Sequence, residues 1–230
     1  MTPEMAFECL LVSPDPAVFT TMDEILHDFS IATKVCPYPE RAAHLLADGS
    51  TDLIVIDLEA ENASEFLGQI AARTHNQKPT VLAVSGHDRV APGVHVILRK
   101  PVTHESGLTS LKAAYSRMVR DYRKHTRFAV MNQVTATDEE QRSLPITVTN
   151  IGEGGVGITS AETLRIGGLL SFRMRLPELN NEVSVQARVL WSRPYGAAGC
   201  EFAHVPPFDL QLIHAWLDSR YRIKKPLFLV

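Results

Sequence analysis

The chain has 230 residues, of which 45% are hydrophobic, 21% charged and 7% aromatic. That balance belongs to an ordinary globular protein of one large or two small domains, not to a disordered or fibrous one. No run of about 20 apolar residues and no basic-then-apolar leader is present, so membrane insertion and secretion are not expected and the cytoplasm is the default location. The formal net charge of −3 is unevenly shared: residues 1–116 carry 8 basic and 15 acidic side chains, residues 117–230 carry 15 and 11.

The first half reads as strands alternating with helices. An apolar run from Phe7 to Val12 predicts a buried strand, and Asp15-Pro16 offers an N-cap followed by proline at the first helical position, with the helix running on through Ile25 to Phe29. A short strand at Ile31 to Cys36 and a helix from about Glu40 to Ala47 follow. Leu53-Ile-Val-Ile56, apolar at every position, suits a central parallel strand covered on both faces. Asn62 and Glu65 have the spacing of a capping box for a helix through Phe66, Ile70 and Ala71. Strands at Val81 to Val84 and Val94 to Leu98 complete the set, and five strands separated by helical patterns predict a doubly wound α/β sheet. Between the last two strands, Gly86, Pro92 and Gly93 disfavour a helix.

Leu108, Leu111, Tyr115, Met118 and Tyr122 recur at three- and four-residue steps, so one helical stripe continues into the basic run Arg117, Arg120, Arg123, Lys124 and Arg127. Beyond Arg127 the period shortens. Strands are predicted at Phe128 to Val134, Ile146 to Ile151, Val156 to Thr159, Leu169 to Leu176, Val183 to Trp191 and Gly199 to Ala203. Turns are supplied by Gly154-Gly155, Gly167-Gly168, Leu179-Asn180-Asn181 and Pro194-Tyr195-Gly196. A final helix from about Phe208 to Arg220 carries Leu210, Ile213, Trp216 and Leu217 on one side, which makes a small antiparallel β-barrel closed by a C-terminal helix. Trp191 and Trp216 both fall on apolar faces and are expected in the core.

Over roughly residues 5 to 120 the chain resembles the receiver domain of bacterial response regulators. The resemblance rests on Asp57 ending the third strand, Ser85 ending the fourth and Lys100-Pro101 following the fifth. It implies that Asp57 is a phosphoryl acceptor, Ser85 the hydroxyl that follows the phosphoryl group and Lys100 the lysine that pairs with it. Receivers hold magnesium with an acidic pair after the first strand, whereas here Ser13 and Pro14 stand there, leaving Asp15 beyond them. Magnesium is a hard cation held by carboxylates in such sites. The expectation is a degenerate receiver that keeps Asp57 as an inherited strand-end residue.

Over about residues 118 to 222 the chain resembles the PilZ domain family, whose signatures are an Arg-x-x-x-Arg pair and an Asp/Asn-x-Ser-x-x-Gly turn. Arg123 and Arg127 match the pair, Asn150 and Gly155 match the ends of the turn, and Gly152 holds the serine position. The resemblance implies cyclic di-GMP as ligand. Two guanidinium forks suit phosphate and purine faces, an amide suits a guanine edge, and glycines let a backbone approach a ligand or take positive φ. Losing the serine hydroxyl at Gly152 removes one neutral hydrogen bond of about 0.5 to 1.5 kcal/mol, roughly 2- to 12-fold in affinity, so weakened binding is expected rather than none.

The three cysteines, Cys9, Cys36 and Cys200, are widely spaced, and the nine histidines show no ligand spacing, so neither disulfides nor a metal is expected. No catalytic arrangement stands out, so the chain is not expected to be an enzyme. The organisation expected is a degenerate receiver-like domain at 1–116, a helical connection with the arginine segment at 117–127 and a PilZ-like barrel with its helix at 128–230. Its function is expected to be cyclic di-GMP reception coupled to domain orientation and to an unidentified protein partner, with homodimerisation through the helical stripe open. A ligand-independent scaffold and a response regulator phosphorylated at Asp57 remain the alternatives. DNA is not expected as a partner, because the second part has only a small basic excess and no helix-turn-helix pattern.

Overall fold

The computed structural model describes residues 6–47, 51–72, 78–87, 91–179, 181–194, 196–223 and 226. Two units are separable, residues 1–121 with 222–230 and residues 122–221.

In the first unit the chain order is β1 (Glu8–Val12), α1 (Pro16–Asp28), β2 (Ala32–Cys36), α2 (Pro39–Ala47), β3 (Leu53–Asp57), α3 (Ala63–Ala72), β4 (Thr80–Ser85), β5 (Val96–Arg99) and α4 (His104–His125). The strands form one parallel sheet in the order β2-β1-β3-β4-β5, a doubly wound order whose functional crevice lies at the carboxyl ends of the strands. Every residue of β3 and β4 is buried, which explains why both read as unbroken apolar runs. Asp15 caps α1 as expected, its Oδ1 accepting the Ala17 N–H at 2.9 Å. No helix lies between β4 and β5 among the described residues; residues 88–90 of that segment fall outside them. The expected capping box at α3 does not form in its usual way. Asn62 adopts φ +62° and its amide donates to Glu40 Oε1 at 2.6 Å, tying the start of α3 to α2 instead.

The second unit contains β6 (Phe128–Asp138), β7 (Ser143–Gly152), β8 (Gly155–Ser160), β9 (Leu169–Arg175), β10 (Glu182–Ser192), β11 (Ala197–His204) and α5 (Pro207–Asp218). The six strands close into an antiparallel barrel in the order β10-β11-β8-β7-β6-β9, with β6 meeting β9 at Thr137–Ser171 and Asp138–Leu170. Its core includes Ile151, Val156, Val183, Val185, Ala187, Val189 and Cys200, and α5 adds Ile213, Trp216 and Leu217. Trp216 is buried as expected and donates its Nε1–H to the Pro177 carbonyl at 2.8 Å. Trp191 is not in the core. The register of β10 against β11 shifts between Val189 and Trp191, and this bulge turns the indole outward with 47% of its surface exposed. Asn180 and Tyr195, expected in turns, lie outside the described residues. No described helix is long and apolar enough to cross a membrane.

Candidate ligand surface and strand-end cluster

The glycine turn lies on the outer face of the barrel. Ile151 and Val156 point inward and are buried, so the alternation of a strand places Asn150 and Gly152 on the outside of β7 and Gly155 and Gly157 on the outside of β8. Gly152 pairs with Gly155, and Asn150 with Gly157. The side chain of Arg127, which immediately precedes β6, lies over Gly152 so closely that an added Cβ would overlap its Nη1 and come within 2.7 Å of the Thr126 carbonyl oxygen. Gly152 therefore makes room for Arg127, a role that counting lost hydroxyls does not disclose. Gly155 is needed for a different reason: a Cβ there would strike the Cys200 backbone and reach within 2.9 Å of Glu201 Cα. None of Gly152, Gly154 and Gly155 has positive φ, so close approach and not backbone handedness accounts for the glycines at 152 and 155.

A row of residues extends from Asn150 across the barrel. Asn150 pairs with Gly157, Gly157 with Gly199, and Gly199 with Trp191. The Asn150 amide covers Gly157, and the Trp191 indole covers Gly199; a Cβ on either glycine would overlap the side chain above it. The adjacent row runs Gly152, Gly155, Glu201 and Arg188, the last two 3.7 Å apart as an ion pair. The Arg193 guanidinium stands 5.5 Å from the Trp191 ring centre. The outer face of β7, β8, β11 and β10 thus presents an amide, an exposed aromatic ring and several guanidinium groups over a floor of glycine. A register shift between Val148 and Asn150 sets Thr149 and Asn150 together opposite Gly157, where Thr149 Oγ1 donates to the Gly157 carbonyl at 3.1 Å and Asn150 Nδ2 donates to Thr149 Oγ1 at 3.3 Å.

Arg123 is engaged elsewhere. Its Nη2 is 3.2 Å from Asp218 Oδ1 and its guanidinium carbon is 5.3 Å from the Tyr221 ring centre, while Tyr221 Oη donates to the Arg123 carbonyl at 3.3 Å. Arg123 Nε is buried without a hydrogen-bond partner. Burial, reinforced by the nearby Glu153 carboxylate, pushes the Tyr221 hydroxyl up to about 12. Tyr221 also packs against Phe128 and Tyr122 with ring centres 5.4 and 5.8 Å apart. Of the expected ligand residues, the structure brings Arg127, Asn150, Gly152 and Gly155 together and holds the Arg123 side chain on Asp218 and Tyr221.

The other cluster stands at the carboxyl ends of β1, β3 and β4 with Lys100 after β5. Asp57 is 1% exposed. Its Oδ2 accepts from Lys100 Nζ at 2.8 Å and from Ser13 Oγ at 3.1 Å, and its Oδ1 accepts the Glu59 N–H at 3.1 Å. Lys100 also reaches Glu59 Oε2 at 2.8 Å and lies 3.8 Å from Asp15 Oδ2. Burial works against its charge, but the hydrogen bonds it donates to Asp57 and Glu59 prevail and hold the ammonium above its ordinary value. Ser85 Oγ accepts the His87 N–H at 3.1 Å and donates to the His87 carbonyl at 3.0 Å. The cluster does not fit magnesium: Pro14 has no donor atom, Ser13 gives its proton to Asp57, and an ammonium already lies against the carboxylates. Among the described residues no three His, Cys, Asp or Glu side chains are grouped to hold a metal ion.

Sequence reasoning missed two participants. Trp191 was hidden by the bulge in β10, and Glu59 lies only two residues beyond the strand-end Asp57, a proximity that was its one visible signal.

Residues 121–219 match the family model of the PilZ domain. The PilZ match covers the arginine pair, the glycine turn, the barrel and α5. No curated protein matches the chain. Among solved structures, a CheY-like receiver domain from Methylobacillus flagellatus is 20% identical, with 50% of this chain and 99% of that one covered and a TM-score of 0.44. A CheY-like receiver domain protein from Methanospirillum hungatei is 14% identical, with 51% and 99% covered and a TM-score of 0.45. The Bacillus subtilis inhibitor of motility is 21% identical, with 41% and 48% covered and a TM-score of 0.35. The chain thus joins an α/β unit built on a five-stranded parallel sheet to a region that matches the PilZ domain.

Proposed function

We propose that the PilZ unit binds cyclic di-GMP on the outer face of β7, β8, β11 and β10. The observation that carries this reading is that Arg127, Asn150 and Trp191 cover Gly152, Gly157 and Gly199 in adjacent cross-strand rows of one outer face. A cyclic dinucleotide has two phosphates and two flat purines. Arg127 provides a planar fork of donors for a phosphate, Asn150 both donor and acceptor for a base edge, and Trp191 a half-exposed ring on which a base can stack by displacing the Arg193 guanidinium. Arg123 joins the ligand by leaving Asp218, so that both arginines of the pair grip one guest. Arg123 stands near the end of α4, the helix through which the chain passes from one unit to the other. Ordering the Arg123–Arg127 segment therefore acts on that helix, and domain orientation and partner contacts follow from it.

Titrating the full chain with cyclic di-GMP in a calorimeter tests the proposal. Saturable heat is expected, and Arg127→Ala should bind at least about tenfold more weakly, since a charged hydrogen bond is worth about 1.5 to 3 kcal/mol. No heat from the parent would favour a ligand-independent interaction module, and an Arg127→Ala variant that binds like the parent would remove the site assignment. Phosphorylation at Asp57 is the weaker reading, because Lys100 and Ser13 already occupy Asp57 Oδ2.

A further inference from the structure

At the strand ends of the first unit, one carboxylate joins two groups that together make a seat for an oxyanion. Glu59 Oε2 accepts from Lys100 Nζ at 2.8 Å, and Glu59 Oε1 accepts the backbone N–H of Gly86 at 2.6 Å. An ammonium and a backbone N–H aimed at a shared pair of oxygens recognise carboxylate, sulfate and phosphate alike. Glu59 Oε1 sits so close over residue 86 that a Cβ there would come within 2.8 Å of it, and the carboxylate would have to shift to make room. The Glu59 side chain is 38% exposed, so packing does not trap it. What holds it is the pair of contacts, and both lower its proton affinity.

We propose that Glu59 is a tethered plug, a carboxylate of the chain itself that keeps the oxyanion seat of Lys100 and Gly86 filled beside Asp57. Because the plug is covalently attached, it competes at an effective concentration in roughly the millimolar range or above, and a free anion of ordinary affinity does not displace it. The receiver-like unit is thereby closed to small oxyanions while retaining the groups that would bind one. The seat is separate from the ligand surface of the PilZ unit, so its test does not depend on cyclic di-GMP.

The experiment follows the Gly86 amide resonance of the full 15N-labelled chain during titration with inorganic phosphate at constant ionic strength and neutral pH. The parent is expected to show no saturable shift at concentrations that saturate Glu59→Ala, with at least about a tenfold difference in apparent affinity. Adding Lys100→Met to Glu59→Ala should weaken phosphate binding again by about tenfold or more. Parent and Glu59→Ala titrating alike would overturn the proposal, as would a double variant that binds as tightly as Glu59→Ala. Should Glu59→Ala lose its fold, Glu59→Gln carries the test. It keeps the shape and an acceptor for Gly86 but loses the negative charge that pairs with Lys100, so it should bind phosphate more tightly than the parent, and no gain would overturn the proposal.

Discussion

The guanidinium of Arg127 rests on the α-carbon of Gly152, filling the space that a side chain at residue 152 would need. A serine at that position is therefore not a simple restoration of the turn signature Asn-x-Ser-x-x-Gly. Its Cβ would displace Nη1 and also press on the Thr126 carbonyl oxygen and Arg127 Cδ, at 2.7 and 2.8 Å. The guanidinium can swing away cheaply, but the backbone carbonyl cannot. Gly152→Ser is expected to destabilise the barrel by about 1 to 3 kcal/mol, as overpacking does, and to bind cyclic di-GMP no more tightly than the parent. A thermal melt and a ligand titration of the same variant check both halves of this expectation, and a tighter-binding, equally stable variant would contradict it.

Trp191 gives the second prediction. Its ring is half open to solvent and lies in the same cross-strand row as Asn150. Since base–aromatic stacking is worth about 1 to 3 kcal/mol, Trp191→Ala should weaken cyclic di-GMP binding by roughly 5- to 150-fold, and Trp191→Phe by much less. Fluorescence of the two tryptophans offers an independent readout. Trp216 is buried and bonded to Pro177, so any ligand-induced change should vanish in Trp191→Phe.

How much of this was legible in the sequence differs from element to element. The parallel sheet was plain because β3 and β4 are buried on both faces and carry no polar interruption before Asp57 and Ser85. Arg127, Asn150, Gly152 and Gly155 were legible as a set because short-range spacing fixes their strand positions. Strict alternation along β10 places Trp191 in the core because it ignores a bulge, and a single extra residue reverses the face of everything beyond it. The capping role expected of Asn62 failed for a similar reason, because a tertiary partner, Glu40, claims its amide. Neither the Arg123–Asp218 pair nor the Glu59–Gly86 contact had a sequence signal of its own, since each joins residues distant in the chain through long side chains.

The Arg123–Asp218 pair supplies the third prediction. It competes with ligand for the guanidinium, so its loss should favour binding. The two side chains are 40% and 53% exposed, which limits the pair to about 0 to 1 kcal/mol. Asp218→Asn should therefore tighten cyclic di-GMP binding by up to roughly fivefold at low salt, with the difference shrinking as salt is raised. Weaker binding in Asp218→Asn would mean that Asp218 supports the ligand-competent arrangement rather than opposing it.

Acid should loosen the strand-end cluster of the first unit through Glu59. Lys100 first and the Gly86 N–H second hold this carboxyl below its ordinary value of 4.5, with His87 adding to the effect when it is cationic. Asp57 and Asp15 share the same lysine. A carboxyl whose folded value is depressed contributes stability that is fully present above its unfolded value and is lost as pH falls through the folded one. The loss from Glu59 thus begins near pH 4.5 and continues below it. Lys100 behaves in the opposite sense: its raised value gives a contribution that is complete below 10.5 and fades only as pH rises beyond it. Urea midpoints read from amide resonances of the β1, β3 and β4 strands, measured between about pH 3 and pH 7, should show a smaller acid-side decline in Glu59→Gln than in the parent. Equal declines in the two proteins would show that Glu59 is not held by Lys100 and Gly86 in solution.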